Sequence, residues 1–335
     1  MGVLPFTSTA CGADGYTSPL QEHKGKGATI MKLAPRRVES GAIVSTALLA
    51  LVVLMLGACA NMATPSLTAS NAAVLDPQRI ARIVASPDRS AADRNNDQRR
   101  KPEQMLAFIG IWPGMVALDI SAAGGYTTEL LARAVGLGGR VYGQSESPRG
   151  PEAPPRPTAA APEGDSSPSA STAVPIAPVA PSPPTVRRTS AQALAERAKN
   201  PVVANIVAVL QPFEDPVPPA LAAGGLDLVT LMFNYHDLGW MGTDRARMNK
   251  AVFAGLKRGG VYVIADHSGR PGTGISEAGT LHRIEEAFLR QEVEAAGFKF
   301  ADQGNFLRNP SDPRDKNTPN PPQPKDEFVL KFVKP

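Results

Sequence analysis

Two pairs of side chains, His236-Asp237 and Asp266-His267, each follow a run of apolar residues, Leu226 to Phe233 and Val261 to Ala265. Imidazole next to carboxylate is a proton-moving arrangement. Histidine, with a pKa near 6.5, can take a proton from an attacking hydroxyl, and an acid can orient its ring. The same residues could instead cap the elements that follow, or bind each other across a sheet edge. A third stretch, Val116 to Leu131, reads VALDISAAGGYTTELL. There a short apolar strand ends in Asp119, small residues run to Gly125, and a helix begins at once. Small residues let backbone approach a ligand, and a helix amino end offers free N–H groups. Tyr126 and Trp112 could stack on a ring or lie at a boundary with one wet end. Arg82, Arg89, Arg94, Arg99 and Arg100 precede the strand; they read as a solvated helix face, or as a match for an acidic substrate. His282 reads as structural.

The elements that must position these groups alternate in type. Helical spacing covers Gln98 to Ile109, Thr127 to Val135, Ala191 to Lys199, Asp244 to Leu256 and Arg283 to Ala296. Strands are expected at Met115 to Ile120, Arg140 to Gln144, Asn205 to Leu210, Leu226 to Phe233, Val261 to Ala265, Phe298 to Ala301 and Glu327 to Val333. Near-continuous apolar strands between helices indicate one α/β domain over residues 77–335, with a mostly parallel sheet covered on both faces. In such sheets ligands bind at the carboxyl edge of the strands. Both His/Asp pairs lie at that edge, so Asp237, Asp266 and His267 should face a pocket.

Composition sets limits. The 335 residues carry 35 Lys+Arg against 31 Asp+Glu, a net charge of +4 with no basic block, which argues against a nucleic-acid partner. Two cysteines, Cys11 and Cys59, exclude a disulfide framework or a cysteine-rich zinc site. Residues 148–188 hold 12 of the 33 prolines among Ala, Ser and Thr, and should form an extended insertion. Residues 309–325 should form a second Pro-rich loop.

The stretch ending at Gly125 resembles the first motif of class I S-adenosylmethionine-dependent methyltransferases, acid-x-Gly-x-Gly-x-Gly. Asp119 takes the acid place, Ser121 and Ala123 stand at the first two glycine places, and Gly125 at the last. Further marks are Ser86-Pro-Asp-Arg89, Tyr126-Thr-Thr-Glu129, Asn234-Tyr-His-Asp237, Asp266-His-Ser-Gly-Arg-Pro-Gly272 and Leu281-His-Arg-Ile-Glu285. Together they are similar to a group of predicted bacterial methyltransferases over about residues 76–335. The resemblance implies a Rossmann-like fold with seven strands in the order 3-2-1-4-5-7-6 and an antiparallel last strand. It implies S-adenosyl-L-methionine as cofactor, with Asp119, Ser121, Ala123, Gly124, Gly125 and Tyr126 at its methionine part. Gln144 would stand at the ribose, where the family places an acid, and Glu214 or Asp215 at the adenine amino group. His236, Asp237, Asp266 and His267 become the catalytic candidates. A divalent metal on Asp237 and Asp266 would resemble catechol-type O-methyltransferases. Gly125→Val is expected to block the cofactor while leaving the fold largely intact.

At the other end, Gly41 to Ala58 gives eighteen residues without a charge, after Lys32, Arg36 and Arg37 and before Cys59. A positive start, an apolar run and a small-residue end form a secretory signal; a plain transmembrane helix is the other reading. Leu56-Gly57-Ala58-Cys59 resembles the bacterial lipobox, which implies lipidation at Cys59 and, with Ala60 next, the periplasmic face of the outer membrane. Residues 1–30 precede Met31 and read as an over-extended start, and 59–76 as a tether. Two functions follow: a lipid-anchored methyltransferase with a small-molecule acceptor, or a non-catalytic lipoprotein that keeps the fold as a binding module.

Overall fold

The computed structural model describes residues 74–146, 188–317 and 324–335. The apolar run at 41–58, Cys59, nearly all of the tether, all but the last residue of the 148–188 segment, and the middle of the 309–325 loop lie outside the described residues. Among the described residues no helix is long and apolar enough to cross a membrane.

Among the described residues three helices precede the sheet. In α1 (Pro77–Val84) the Asp76 side chain accepts from the Arg79 N–H at 2.8 Å and Pro77 opens the first turn, while Ile80 and Val84 face inward. Helix α2 (Ala91–Arg100) is capped by Ser90 and buries only Asp93. Helix α3 (Pro102–Ile109) buries Met105, Leu106 and Ile109. Sequence spacing predicts one helix over Gln98 to Ile109; instead the chain breaks at Lys101, whose φ is 44°. Proline at 102 lacks an N–H and crowds the residue before it, so it can begin a helix but not continue one.

The sheet contains β1 (Val116–Ile120), β2 (Arg140–Ser145), β3 (Ile206–Leu210), β4 (Leu226–Met232), β5 (Leu256–His267), β6 (Lys299–Gly304) and β7 (Glu327–Val333). Their order is β3-β2-β1-β4-β5-β7-β6. The first five run parallel, and β7 pairs antiparallel with both β5 and β6. This is the Rossmann-like arrangement implied by the methyltransferase resemblance. Between strands lie α4 (Tyr126–Val135), α5 (Ser190–Arg197), α6 (Tyr235–Trp240), α7 (Arg245–Gly255), α8 (Ala278–Leu281) and α9 (Glu286–Ala295). The short helices α6 and α8, and α1 at the start, were not anticipated from apolar spacing.

Alternate strand residues feed two cores. On β5, Val263 and Ala265 join Leu106, Leu131 and Leu194 on one face, while Tyr262 and Ile264 join Val252, Phe328 and Phe332 on the other. Each Val, Leu, Ile or Phe side chain so removed from water stabilises the fold by about 1.5–3 kcal/mol.

The most deeply buried cation among the described residues holds a turn at the cleft. Arg283, between α8 and α9, is 0% exposed. Its guanidinium donates to the carbonyls of Ser268 (3.0 Å) and Lys316 (3.0 Å) and lies 2.8 Å from the Asp312 carboxylate. This pins the turn carrying His282 to the end of β5. Removing one partner of a buried pair leaves a bare charge, so Arg283→Met or Asp312→Asn should each lower stability by about 3–5 kcal/mol. Chemical denaturation that finds either variant within about 1 kcal/mol of wild type would show that this pair does not hold the turn.

Candidate active site

The carboxyl ends of β1, β4 and β5 meet beneath α2 around a cavity of ≈ 210 Å³. β1 lies between β2 and β4, so the cavity sits where the strand order reverses, the place at which open α/β sheets receive ligands.

Asp119, one residue before the end of β1, lines the cavity from below. Thr128 Oγ1 donates to one carboxylate oxygen at 2.6 Å and Thr230 Oγ1 to the other at 2.7 Å. Burial pushes this carboxyl up to about 6, against the pull of the two hydroxyls.

The loop after Asp119 keeps a glycine-like backbone without the glycines. Ser121 (φ 56°), Ala123 (φ 46°) and Gly125 (φ 83°) are all left-handed, a conformation that costs an L side chain on the order of 1 kcal/mol. The neighbours hold it in place. The Ser121 N–H donates to Gln144 Oε1 (2.9 Å), and its hydroxyl to Asn234 Oδ1 (2.6 Å). Ser190 Oγ and Arg197 Nε donate to the carbonyls of Ala123 and Gly124, each at 2.6 Å. Ser121, Ala123, Gly124 and Tyr126 line the cavity.

Several expectations change here. Gly125 does not line the cavity; a Cβ on it would lie 2.7 Å from Leu194 and 2.9 Å from the Arg197 stem. Its role is to let α5 pack on the loop, so Gly125→Val would damage the fold rather than only block a ligand. Gln144 is fully buried, with Oε1 taken by Ser121 and Nε2 donating to the Gln211 carbonyl at 2.7 Å. It has no face left for a ribose. Neither Glu214 nor Asp215 lines the cavity, and Asp215 lies 3.6 Å from Arg247 on the surface.

The two His/Asp pairs converge, though not as four equal members. Asp266 is 0% exposed and faces away from the cavity. Its carboxylate accepts from the backbone N–H groups of His236 (2.9 Å) and His267 (2.8 Å), and contacts His236 Nδ1 at 2.6 Å. Buried behind His236 and outside the cavity lining, it is not placed to share a metal with Asp237 as the catechol-type arrangement requires. Asp237 does line the cavity. One of its oxygens lies 3.3 Å from His236 Nε2 and 3.2 Å from His282 Nδ1, and Asn234 Nδ2 donates to the other at 3.1 Å. Burial alone would lower the His236 pKa, but Asp266 and Asp237 outweigh it and carry it to about 10. Burial also opposes ionisation of Asp237 and Asp266, yet the histidines hold both below the usual carboxylate range. His267 goes the other way: burial, then Lys325 and His236, push it well below 6.5. Its Nδ1 lies 3.0 Å from Glu327, whose carboxyl burial raises to about 7, but out of line for a hydrogen bond.

The roof was missed in part. Arg99 and Arg100 line the cavity, and the Arg100 guanidinium lies 3.9 Å over the ring of Phe233, itself left-handed at φ 61°. Arg89 is buried and grips Asp97 at 2.7 and 2.8 Å, while Tyr126 donates to Asp97 at 2.7 Å. Asp93 holds Arg197 at 2.6 Å, and Arg197 also meets Glu129. Arg82 and Arg94 remain outside the cavity, and Trp112 packs at the edge of one core. His282 also lines the cavity, contrary to its reading as purely structural. A signal for the roof was available: the sequence AADRNNDQRR has no apolar stripe, so a helix there has to be fastened by charge.

No family model and no curated protein matches the sequence. Among solved structures, the chain is similar to a SAM-dependent methyltransferase from Aquifex aeolicus at 16% identity and TM-score 0.46, covering 78% of this chain and 100% of that one. It is similar at 15% identity and TM-score 0.44 to a structure described as the complex between the Haloferax volcanii Trm112 methyltransferase activator and the putative methyltransferase, covering 78% and 99%. A third is CrArsM, an arsenic (III) S-adenosylmethionine methyltransferase from Chlamydomonas reinhardtii, at 13% identity and TM-score 0.43, covering 77% and 73%.

The loop geometry generates a pair of opposite expectations. Ala123→Gly relieves a left-handed side chain and should raise stability by about 0.5–1 kcal/mol after the entropy cost of glycine. Gly125→Val adds both overpacking and strain and should lower it by about 2–4 kcal/mol. Urea denaturation of both variants checks the signs; a stable Gly125→Val protein would show that α5 does not seat on this glycine.

Proposed function

We propose that the chain is an S-adenosylmethionine-dependent methyltransferase acting on a small-molecule acceptor. The observation that carries this reading is the place of Asp119: a buried, cavity-facing carboxylate near the carboxyl end of β1, before a left-handed loop of small residues, where the strand order reverses. Such a loop accepts close approach by an extended polar ligand, and a carboxylate poised near 6 complements an ammonium group. S-adenosylmethionine, when bound, supplies a methyl group on a positively charged sulfur. Asp119 would hold its ammonium, and the backbone from Ser121 to Gly124 would lie along its methionine part.

The remaining residues have roles on the acceptor side. His267 borders the cavity, and burial holds its pKa well below 6.5, so the ring is uncharged near pH 7; its Nδ1 is buried against Glu327, which leaves Nε2 as the nitrogen to accept a proton from an acceptor hydroxyl. Asp266 is a positioning residue that fixes His236. Helix α2 covers one side of the cavity, and positioning of the reactants supplies most of the acceleration. A non-catalytic binding module is the second reading, favoured by Gln144: both ends of its amide are used inside the protein, and the end of β2 offers the cavity no carboxylate.

Calorimetry on the full chain with S-adenosylmethionine and its demethylated product tests the cofactor. Loss of the Asp119 charge costs roughly 1.5–3 kcal/mol, so Asp119→Asn should weaken binding about ten- to over a hundred-fold. Because the folded Asp119 titrates near 6, above its ordinary 3.8, its charge is present above that pH and disappears below it. Affinity for the cofactor should therefore fall as pH drops through about 6, and Asp119→Asn should flatten that dependence. Absence of binding at millimolar cofactor would overturn the reading. Binding without methyl transfer to any nucleophile offered would favour the module.

We also propose that the protein is lipid-anchored through Cys59 at the periplasmic face of the outer membrane, on the strength of the charged start, the apolar run and the position of the cysteine. Metabolic labelling with palmitate should mark the wild type and not Cys59→Ser; equal labelling of the two would end this proposal.

A further inference from the structure

We propose that His236, Asp237 and His282 form a site for a borderline divalent cation such as Zn²⁺, open toward the cleft. The existence of this site does not depend on the methyl-transfer reading; only its use in holding an acceptor rests on that reading.

The first argument is distance. Asp237 Oδ1 lies 3.3 Å from His236 Nε2 and 3.2 Å from His282 Nδ1, and one ligand atom from each of the three residues falls within 4.8 Å of the others. Ligands about 2.0–2.2 Å from a cation sit about 3.0 Å apart at right angles and about 3.4 Å apart at the tetrahedral angle. The two measured edges fall between these limits. A cation would seat on these two edges and draw the imidazoles together across the third, which is no longer than 4.8 Å.

Support from behind is the second argument. A ligating imidazole usually gives its other nitrogen to a carboxylate or carbonyl, which fixes the ring and raises its basicity. His236 meets this condition, since its Nδ1 lies 2.6 Å from Asp266, a carboxylate that is itself held by two backbone N–H groups. Asp237 is oriented by Asn234, which is fixed in turn by the Ser121 hydroxyl. His282 is presented by a left-handed residue (φ 50°) anchored through the buried Arg283 next to it. Side chains this constrained, one of them on a strained backbone, mark a site held ready for something.

Access is the third. All three residues border the cavity, and the protein supplies three ligands, which leaves further coordination positions facing the cleft. Three protein ligands with an open position is the pattern of reactive, not structural, metal sites. Two imidazoles and one carboxylate suit zinc and its first-row neighbours, whereas magnesium and calcium prefer oxygen donors. The open positions suit an oxygen or thiol donor of the acceptor.

The test uses tag-free full chain stripped with a chelator. Titration with Zn²⁺, and with Co²⁺ followed by its visible absorption, should show one equivalent bound, with Mg²⁺ failing to compete. His282→Asn suits the left-handed backbone, since asparagine tolerates it. This variant should lose more than about 100-fold in zinc affinity while its metal-free thermal melt stays unchanged. Asp266→Asn should cost about ten- to a hundred-fold, as for a residue behind a ligand. If zinc does not bind at 1:1, if Mg²⁺ competes equally, or if His282→Asn leaves affinity intact, the site is wrong. S-adenosylmethionine affinity measured on the same preparations separates the two proposals. Cofactor binding without metal overturns this inference alone, and metal binding without cofactor overturns only the methyl-transfer reading.

Discussion

The cleft depends on the desolvated carboxylate of Asp266. A carboxylate at zero exposure is costly unless its oxygens are satisfied, and here three N–H groups meet it: two from the backbone at His236 and His267, and one from the His236 ring. Since those donors belong to the helix after β4 and to the last residue of β5, the two strand ends cannot slide past one another without baring the charge. The register of β4 against β5, which runs to Met232 opposite Ala265, delivers both histidines to the same point. Everything that faces the cavity on that side, from Asp237 to His267, inherits its position from this one group.

On the opposite side, order comes from strain held down by neighbours. Ser121, Ala123 and Phe233 all occupy left-handed backbone without being glycine. Each is fastened: Ser121 by Gln144 and Asn234, Ala123 by Ser190, and Phe233 by its N–H donating to the Ala265 carbonyl at 2.7 Å. Gln144 thus serves the loop from within instead of a ligand from without. The residues that make this loop rigid are the same ones that depart from a glycine-rich motif.

Much of this architecture was legible in the chain. The apolar runs located all seven strands, and the acid, small-residue loop and helix from Val116 onward located the floor of the cleft. Illegible features share a cause: they depend on partners distant in sequence. Asp266 and His267 are adjacent and look alike in type, yet opposite facing along β5 sends one into the protein and the other to the cavity. Gln144 looked like a ligand contact because nothing local reveals that Ser121 and Gln211 would use its amide. Lys101-Pro102 is a different kind of miss, since a proline after a charged run marks a helix boundary on local grounds alone.

Helix α2 has a consequence for how the cavity meets solvent. Its attachments are charged or polar, through Asp93, Asp97 and Arg99, and its inward face carries no hydrophobic stripe. Lifting such a helix wets ion pairs and little apolar surface, so the step would lack the large positive heat-capacity change of apolar exposure. Its free energy would instead track ionic strength, because salt screens the charges once lifting wets them and hardly reaches them while they are paired beneath the helix. The sheet and its roof therefore answer to different solvent variables: temperature governs the one, and the electrolyte of the surrounding compartment the other.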